Sequence, residues 1–270
     1  MQQADAVFAG SVPQLYERYM VPMLFEPYAE DLLERLEERS PSRILEIAAG
    51  TGAVTRAMAA GFPAGVSIVA TDLNPGMLEH ARLLGTARPV EWLVADAMAL
   101  PFPDASFDAV VCQFGSMFFP DKAKAFAEIH RVLAPGGGFL FSVWNAIEES
   151  EFADVVMRAL ARVFPNDPPR FMQRTPHGYR DPAVIARDLA AAGFGAAPHV
   201  AVVAKQSHAR TAADVALGFC QGTPVRGEID ARDPARLAEA TELATQAVTE
   251  RFGPGPVVGR MQALVVSVER

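Results

Sequence analysis

Residues 43–59 read RILEIAAGTGAVTRAMA. An apolar run over 43–48 carries one acid, Glu46, then gives way to small residues around Gly50 and Gly52 before helical periodicity begins at 52. Glycine at such a junction permits a tight turn without a Cβ clash and lets backbone amides approach a ligand closely. The stretch reads as a strand, a ligand-binding turn and a helix, and that unit sets the class of fold to look for on either side.

Working outward, Val-, Ile- and Phe-rich runs alternate with helical periodicity, the pattern of βαβ units. Strands are expected at 43–48, 66–71, 90–95, 107–113 and 137–144, and helices at 52–61, 75–84 and 121–134. The segment DAMALPFPDAS, 96–106, has two prolines and reads as a loop. Upstream, 26–39 forms an amphipathic helix ended by Ser40 and Pro41. Beyond Trp144, helices at 150–164 and 182–192 flank a proline-rich loop, and strands at 197–205 and 259–269 enclose helices near 211–220 and 231–252. The expected fold class is α/β, a doubly wound, mostly parallel seven-stranded sheet of Rossmann-like type with helical inserts forming a lid. One structural domain is expected in three stretches: 1–40 as a helical cover, 41–145 as the ligand-binding core, and 146–270 as the rest of the sheet with the inserts.

Composition narrows the partner. The chain has 270 residues, half of them hydrophobic, and a formal net charge of −8. With no cluster of Lys and Arg, a nucleic-acid backbone is a poor partner and a small molecule a good one. Two cysteines, Cys112 and Cys220, cannot build a disulfide framework or a cysteine-based metal site, and no metal is expected. The N-terminus lacks a basic region followed by an apolar one, and no apolar run of spanning length occurs, so the expectation is a cytoplasmic protein that does not enter a membrane.

The ligand is approached through the strand ends. A nicotinamide fingerprint, G-x-G-x-x-G, would need glycine where Thr55 stands. Glu46 ahead of the turn suits a ligand with a cationic part. IVATDLNPGML closes the second strand with Asp72, about 20 residues after the glycines, the place from which a carboxylate reaches two ribose hydroxyls. Leu73 and Met77 offer apolar walls to a flat base, and Asp96 stands just past the third strand. EIHRVLAPGGGFLFSVW, from Glu128, is a helix stopped by Pro135 and three glycines before the fifth strand.

Those landmarks, over residues 40–145, resemble the class I S-adenosylmethionine-dependent methyltransferases, in particular the ubiquinone/menaquinone-biosynthesis-like "type 11" group. The family pattern E-x-G-x-G-x-G falls on Glu46, Ala48, Gly50 and Gly52, with Ala48 in place of the first glycine. The resemblance implies S-adenosyl-L-methionine as cofactor and S-adenosyl-L-homocysteine as product. It implies a backbone cradle at Ala48, Ala49, Gly50, Thr51 and Gly52, and Asp72 on the ribose hydroxyls. It places Asp96 on the adenine amino group, the Ala97 or Met98 amide on a ring nitrogen, and Gln113 beside the sulfonium. The acceptor is then a small molecule under a lid made of 146–182 and 206–258, and the protein a monomer or homodimer.

Other readings stand beside these. Asp72 could cap the following helix, and Asp96 could close an Asx turn. Tyr16 and Tyr19 could fold over the sulfonium or pack an N-terminal helix. His130 reads as structural, His177 and Tyr179 as loop or pocket wall, and His199 and His208 as solvent-facing. No general base is assigned. An NAD(P)-dependent oxidoreductase and a noncatalytic S-adenosylmethionine-binding module are the alternatives.

Overall fold

The structure, a computed structural model, describes residues 12–270. Seven strands form one sheet: β1 (Arg43–Ile47), β2 (Ser67–Asp72), β3 (Glu91–Val94), β4 (Phe107–Gln113), β5 (Leu133–Trp144), β6 (His199–Ala209) and β7 (Val257–Glu269), in the order β3-β2-β1-β4-β5-β7-β6. β1 pairs in parallel with β2 and β4, β3 with β2, and β5 with β4, while β7 runs antiparallel to β5. The mostly parallel doubly wound fold is as expected.

Helices are α1 (Val12–Leu15), α2 (Glu26–Glu37), α3 (Ala53–Gly61), α4 (Pro75–Leu84), α5 (Lys122–Val132), α6 (Glu151–Val163), α7 (Phe171–Arg174), α8 (Pro182–Ala191), α9 (Ala212–Gln221), α10 (Val225–Arg232) and α11 (Leu237–Phe252). Several differ from the sequence reading. A π-helical stretch, Tyr16–Phe25, joins α1 to α2 and contains Pro22, whose missing N–H fits a wider helical turn. The expected helix 231–252 is broken: Asp233 accepts from the Ala235 amide, Pro234 starts a 3₁₀ turn, and α11 follows. The proline-rich loop contains α7. β5 begins at Leu133 instead of 137, because Leu133 already pairs with Phe107; the chain then bulges through Gly136, at φ +77°, before Gly138 pairs with Ala109.

The chain divides into two compact units. One comprises residues through Pro27, Asn145–Gly178 and Ala204–Gln262; the other comprises Tyr28–Trp144, Tyr179–Val203 and Ala263–Arg270. In the second unit, Leu32 and Leu36 of α2 and Val54 and Met58 of α3 pack on Ile44, Ile68, Ala109, Val111 and Leu140 of the sheet. On the other face Phe126 of α5 meets Phe139 and Phe141. A parallel sheet covered on both faces explains why β1 and β4 are nearly continuous apolar runs. In the first unit α11 and α9 bury Ala244, Val248, Val215 and Phe219, and Arg251 of α11 pairs with Glu151 of α6 at 2.7 Å.

Both cysteines are free and buried. Among the described residues, no helix is long and apolar enough to cross a membrane, and no group of three His, Cys, Asp or Glu could hold a metal.

Candidate functional site

At the carboxyl end of β1 the backbone enters left-handed conformations at Ala48 (φ +56°), Gly50 (+58°) and Gly52 (+86°). Gly52 starts α3, and a Cβ there would stand 2.9 Å from the Trp92 ring. Ala48 is strained as an L-residue, at a cost of about 1–2 kcal/mol, and it is accommodated from across the sheet. Gly115, just past β4, faces it, and a Cβ on Gly115 would collide with the Ala48 methyl. Phe114 beside it is also left-handed, at +52°. Backbone strain of this kind gathers at binding and catalytic turns in folded proteins. Within the turn, the Thr51 hydroxyl is buried with no hydrogen-bond partner among the described residues, and Arg56 Nη1 donates to the Thr51 carbonyl at 2.6 Å.

Three acids stand at three successive strand ends. Glu46 is buried against α3, and the Thr55 hydroxyl donates to its Oε2 at 2.5 Å. Burial pushes the Glu46 carboxyl up to about 8, with Thr55 opposing the shift, Asp72 adding to it and Arg56 opposing it. Thr55, the residue that spoils a dinucleotide fingerprint, thus anchors the acid of the first strand. Glu46 is 2% exposed.

Asp72 is half-buried and accepts two backbone amides, Gly50 N on Oδ2 and Asn74 N on Oδ1, both at 2.8 Å. Burial raises its pKa against the pull of those amides. Asp72 does not cap α4: Asn74 does, accepting from Gly76 N at 2.9 Å. The third acid, Asp96, accepts from the Met98 amide at 2.8 Å in an Asx turn. Of the two amides considered for a ring nitrogen, Met98 is therefore engaged by Asp96. Between the acids, Leu73 is 63% exposed, a large apolar side chain open to solvent at a strand end, while Met77 is buried against Gly50. Gln113 ends β4 half-buried, opposite Ser142.

One unit therefore brings together Glu46, Ala48, Ala49, Gly50, Thr51, Gly52, Asp72, Leu73, Met77, Asp96, Ala97, Met98 and Gln113. Tyr19 lies in the other, where α9 makes room for it at Gly218; Tyr16 stacks on Phe25 with ring centroids 5.0 Å apart. The histidines sort plainly. His130 meets Phe194 edge-on, and burial and Arg270 lower its pKa. His177 is buried, Nδ1 lying 2.6 Å from the Asn145 carbonyl, so it is no solvated loop residue. His199 and His208 are exposed. The Tyr179 hydroxyl donates to Asp188 at 3.0 Å beneath Lys122, and burial raises its pKa. Burial also pushes both thiols up to about 12, which leaves neither a nucleophile. Sequence reasoning missed Gly115 and the partnership of Thr55 with Glu46, since both depend on residues that meet only in the fold.

A family model described as a methyltransferase domain matches residues 45–141. The chain is 36% identical over 168 residues to a demethylmenaquinone methyltransferase of Thermus thermophilus, covering 58% of this chain and 76% of the relative. It is 34% identical to that of Deinococcus radiodurans, covering 57% and 68%. Among solved structures, the YcgJ protein of Bacillus subtilis aligns over 90% of this chain and 99% of its own at TM-score 0.56 and 21% identity. The [4+2]-cyclase SpnF aligns over 89% and 81% at 0.51 and 17%. These two share the fold.

Proposed function

The chain belongs to the S-adenosylmethionine-dependent methyltransferases of the ubiquinone/menaquinone-biosynthesis group, and from that premise we propose that the carboxyl ends of β1, β2 and β3 hold the cofactor for methyl transfer to a small aromatic acceptor of the demethylmenaquinone kind. When bound, S-adenosylmethionine supplies a methyl group on a sulfonium, a good leaving group, so the chain's residues have to bind, orient and exclude water.

The observation that carries the reading is the Asp72 carboxylate locked onto the Gly50 amide at 2.8 Å. It ties the acid of β2 to the glycine turn of β1, and each of its oxygens keeps a second acceptor site for a ribose hydroxyl. The turn fits an amino-acid moiety, because at Gly50 only the Met77 methyl, at 3.6 Å, stands near where a side chain would begin, and the Thr51 hydroxyl has hydrogen-bonding capacity to offer. Exposed Leu73 and buried Met77 suit the faces of an adenine. Asp96 is assigned to the adenine amino group, the Ala97 amide to a ring nitrogen, and Gln113 to the sulfonium end. Glu46 positions the turn through Thr55 and does not touch the ligand.

The acceptor class rests on the relatives, which are named for demethylmenaquinone. Two buried, unpaired cysteines favour a reducing, cytoplasmic setting. The test is isothermal titration with S-adenosylmethionine, S-adenosylhomocysteine and NAD, followed by transfer of labelled methyl to demethylmenaquinone chemically reduced to its hydroquinone, the form whose ring carbon is nucleophilic. Saturable binding of both sulfur compounds, none of NAD, and label in the quinone are expected. Unlabelled quinone with intact S-adenosylhomocysteine binding would overturn the acceptor alone; NAD binding without response to either sulfur compound would overturn the whole reading.

A further inference from the structure

The loop 96–106 that follows β3 has two prolines and, apart from an isolated bridge between Asp96 and Ala99, no regular structure, yet it is held by two side chains from α5, Arg131 and Glu128. Arg131 uses every N–H of its guanidinium. Nε donates to Glu128 Oε1 at 2.8 Å, and Nη2 to Glu128 Oε2 at 2.8 Å and to the Leu100 carbonyl at 3.0 Å. Nη1 donates to the Phe102 carbonyl at 2.7 Å and to Asp104 at 2.8 Å. Glu128 completes the clamp by accepting from the Leu100 amide at 2.8 Å. The backbone of the same helix end takes the next two residues, Ala105 N on the Arg131 carbonyl and Ser106 N on that of Val132.

Not all of these contacts weigh alike. The Asp104 side chain is 75% exposed, so its ion pair is screened and adds little. The carbonyls of Leu100 and Phe102 have no ladder to join, and an arginine fork meets two carbonyls and a carboxylate at once, which a lysine ammonium cannot do. The clamp grips the loop immediately after Asp96, Ala97 and Met98, whose own turn is closed by Asp96 taking the Met98 amide and by Ala99 N on the Asp96 carbonyl.

We propose that Arg131, fixed by Glu128, is the positioning residue for the adenine end of the cofactor site: by holding segment 100–104 to α5 it keeps Asp96 and the Ala97 amide as one rigid edge that distinguishes a 6-amino from a 6-oxo purine. The proposal rests on the assignment of Asp96 to the adenine amino group. Arg131 touches no ligand. Its effect is on base discrimination, which a general loss of packing would not alter selectively.

The test compares the dissociation constants of S-adenosylhomocysteine and S-inosylhomocysteine in the full chain and in Arg131→Lys, Glu128→Gln and Asp96→Asn. The unaltered chain prefers the adenine compound. Arg131→Lys is expected to lose about tenfold of S-adenosylhomocysteine affinity, the weight of one charged hydrogen bond, while S-inosylhomocysteine changes less, so the ratio falls; Glu128→Gln shows a smaller fall in the same direction. If Arg131→Lys folds poorly, the Glu128→Gln ratio decides. Asp96→Asn, which offers an amide N–H in place of a carboxylate, should collapse the preference. A collapsed ratio in Asp96→Asn with an intact ratio in both clamp variants overturns the role of Arg131 and leaves the site standing. An intact ratio in Asp96→Asn overturns the underlying assignment and the clamp with it.

Discussion

At the scale of single residues, Ala48 shows how a family pattern can be broken at one place and repaired at another. Its left-handed backbone would be easier for glycine, and the methyl it adds is met by a glycine at 115. Gly115→Ala should therefore cost about 1–3 kcal/mol by overpacking, and Ala48→Gly in the same chain should recover about 1 kcal/mol of it, as residues in contact do. The recovery is partial because Cys112 Sγ also lies 2.8 Å from a Cβ at 115. Strictly additive denaturation midpoints would show that the two do not touch. Glu46 carries a second expectation. Its carboxyl is raised from 4.5 to about 8 by burial, with Thr55, Asp72 and Arg56 as its polar neighbours. Between those values the folded chain holds a proton that the unfolded chain releases, so stability is full below the lower value and falls as pH rises through the upper one, by about 1 kcal/mol per pH unit. Glu46→Gln should flatten that slope in urea midpoints measured from pH 5 to 8.5; an unchanged slope would mean the proton sits elsewhere. Thr55 was legible only as a failed fingerprint position, because its partner is a side chain on the preceding strand.

Helices and strands were legible where burial imposes a period. β1, β2 and β4 fall within a residue of their expected limits because apolar runs bounded by small or turn residues have few alternatives. α4 was expected at 75–84 and stands there, started by Pro75 and capped by Asn74. Asn74→Ala should cost about 1 kcal/mol of stability as an N-cap loss while leaving S-adenosylhomocysteine affinity within about threefold, since the Asn74 amide still reaches Asp72. A large loss of affinity there would mean that the cap and the ribose site are one device. Reading failed where tertiary contacts decide. The break between α10 and α11 needs Asp233 to cap and Pro234 to begin a turn, and local periodicity through 231–252 hides both. The early start of β5 depends on Leu133 pairing with β4 ahead of a bulge, and α7 lies in a segment whose prolines argued for a loop.

For the molecule as a whole, the order of strand ends mattered more than any one motif. Acids at 46, 72 and 96 were readable from spacing, and the fold places all three in the same compact unit, Asp72 hydrogen-bonded to the glycine turn and Glu46 to the helix that follows it. What spacing could not show is that each unit is assembled from three separate segments of chain, so Tyr19 and the sheet acids belong to different units. Arg131 is equally hidden, since it works on carbonyls roughly thirty positions upstream. We propose Asp72, held by the Gly50 amide, as the ribose anchor of a methyltransferase. The measurement that tests it most directly is the dissociation constant of S-adenosylhomocysteine for Asp72→Ala beside the unaltered chain, with thermal melting of both without ligand. A loss of about 2–4 kcal/mol in binding is expected, the range for charged hydrogen bonds in a sheltered site, in a chain that still melts cooperatively. An unchanged dissociation constant with a lowered melting temperature would contradict it, and would make Asp72 a residue that merely holds the turn.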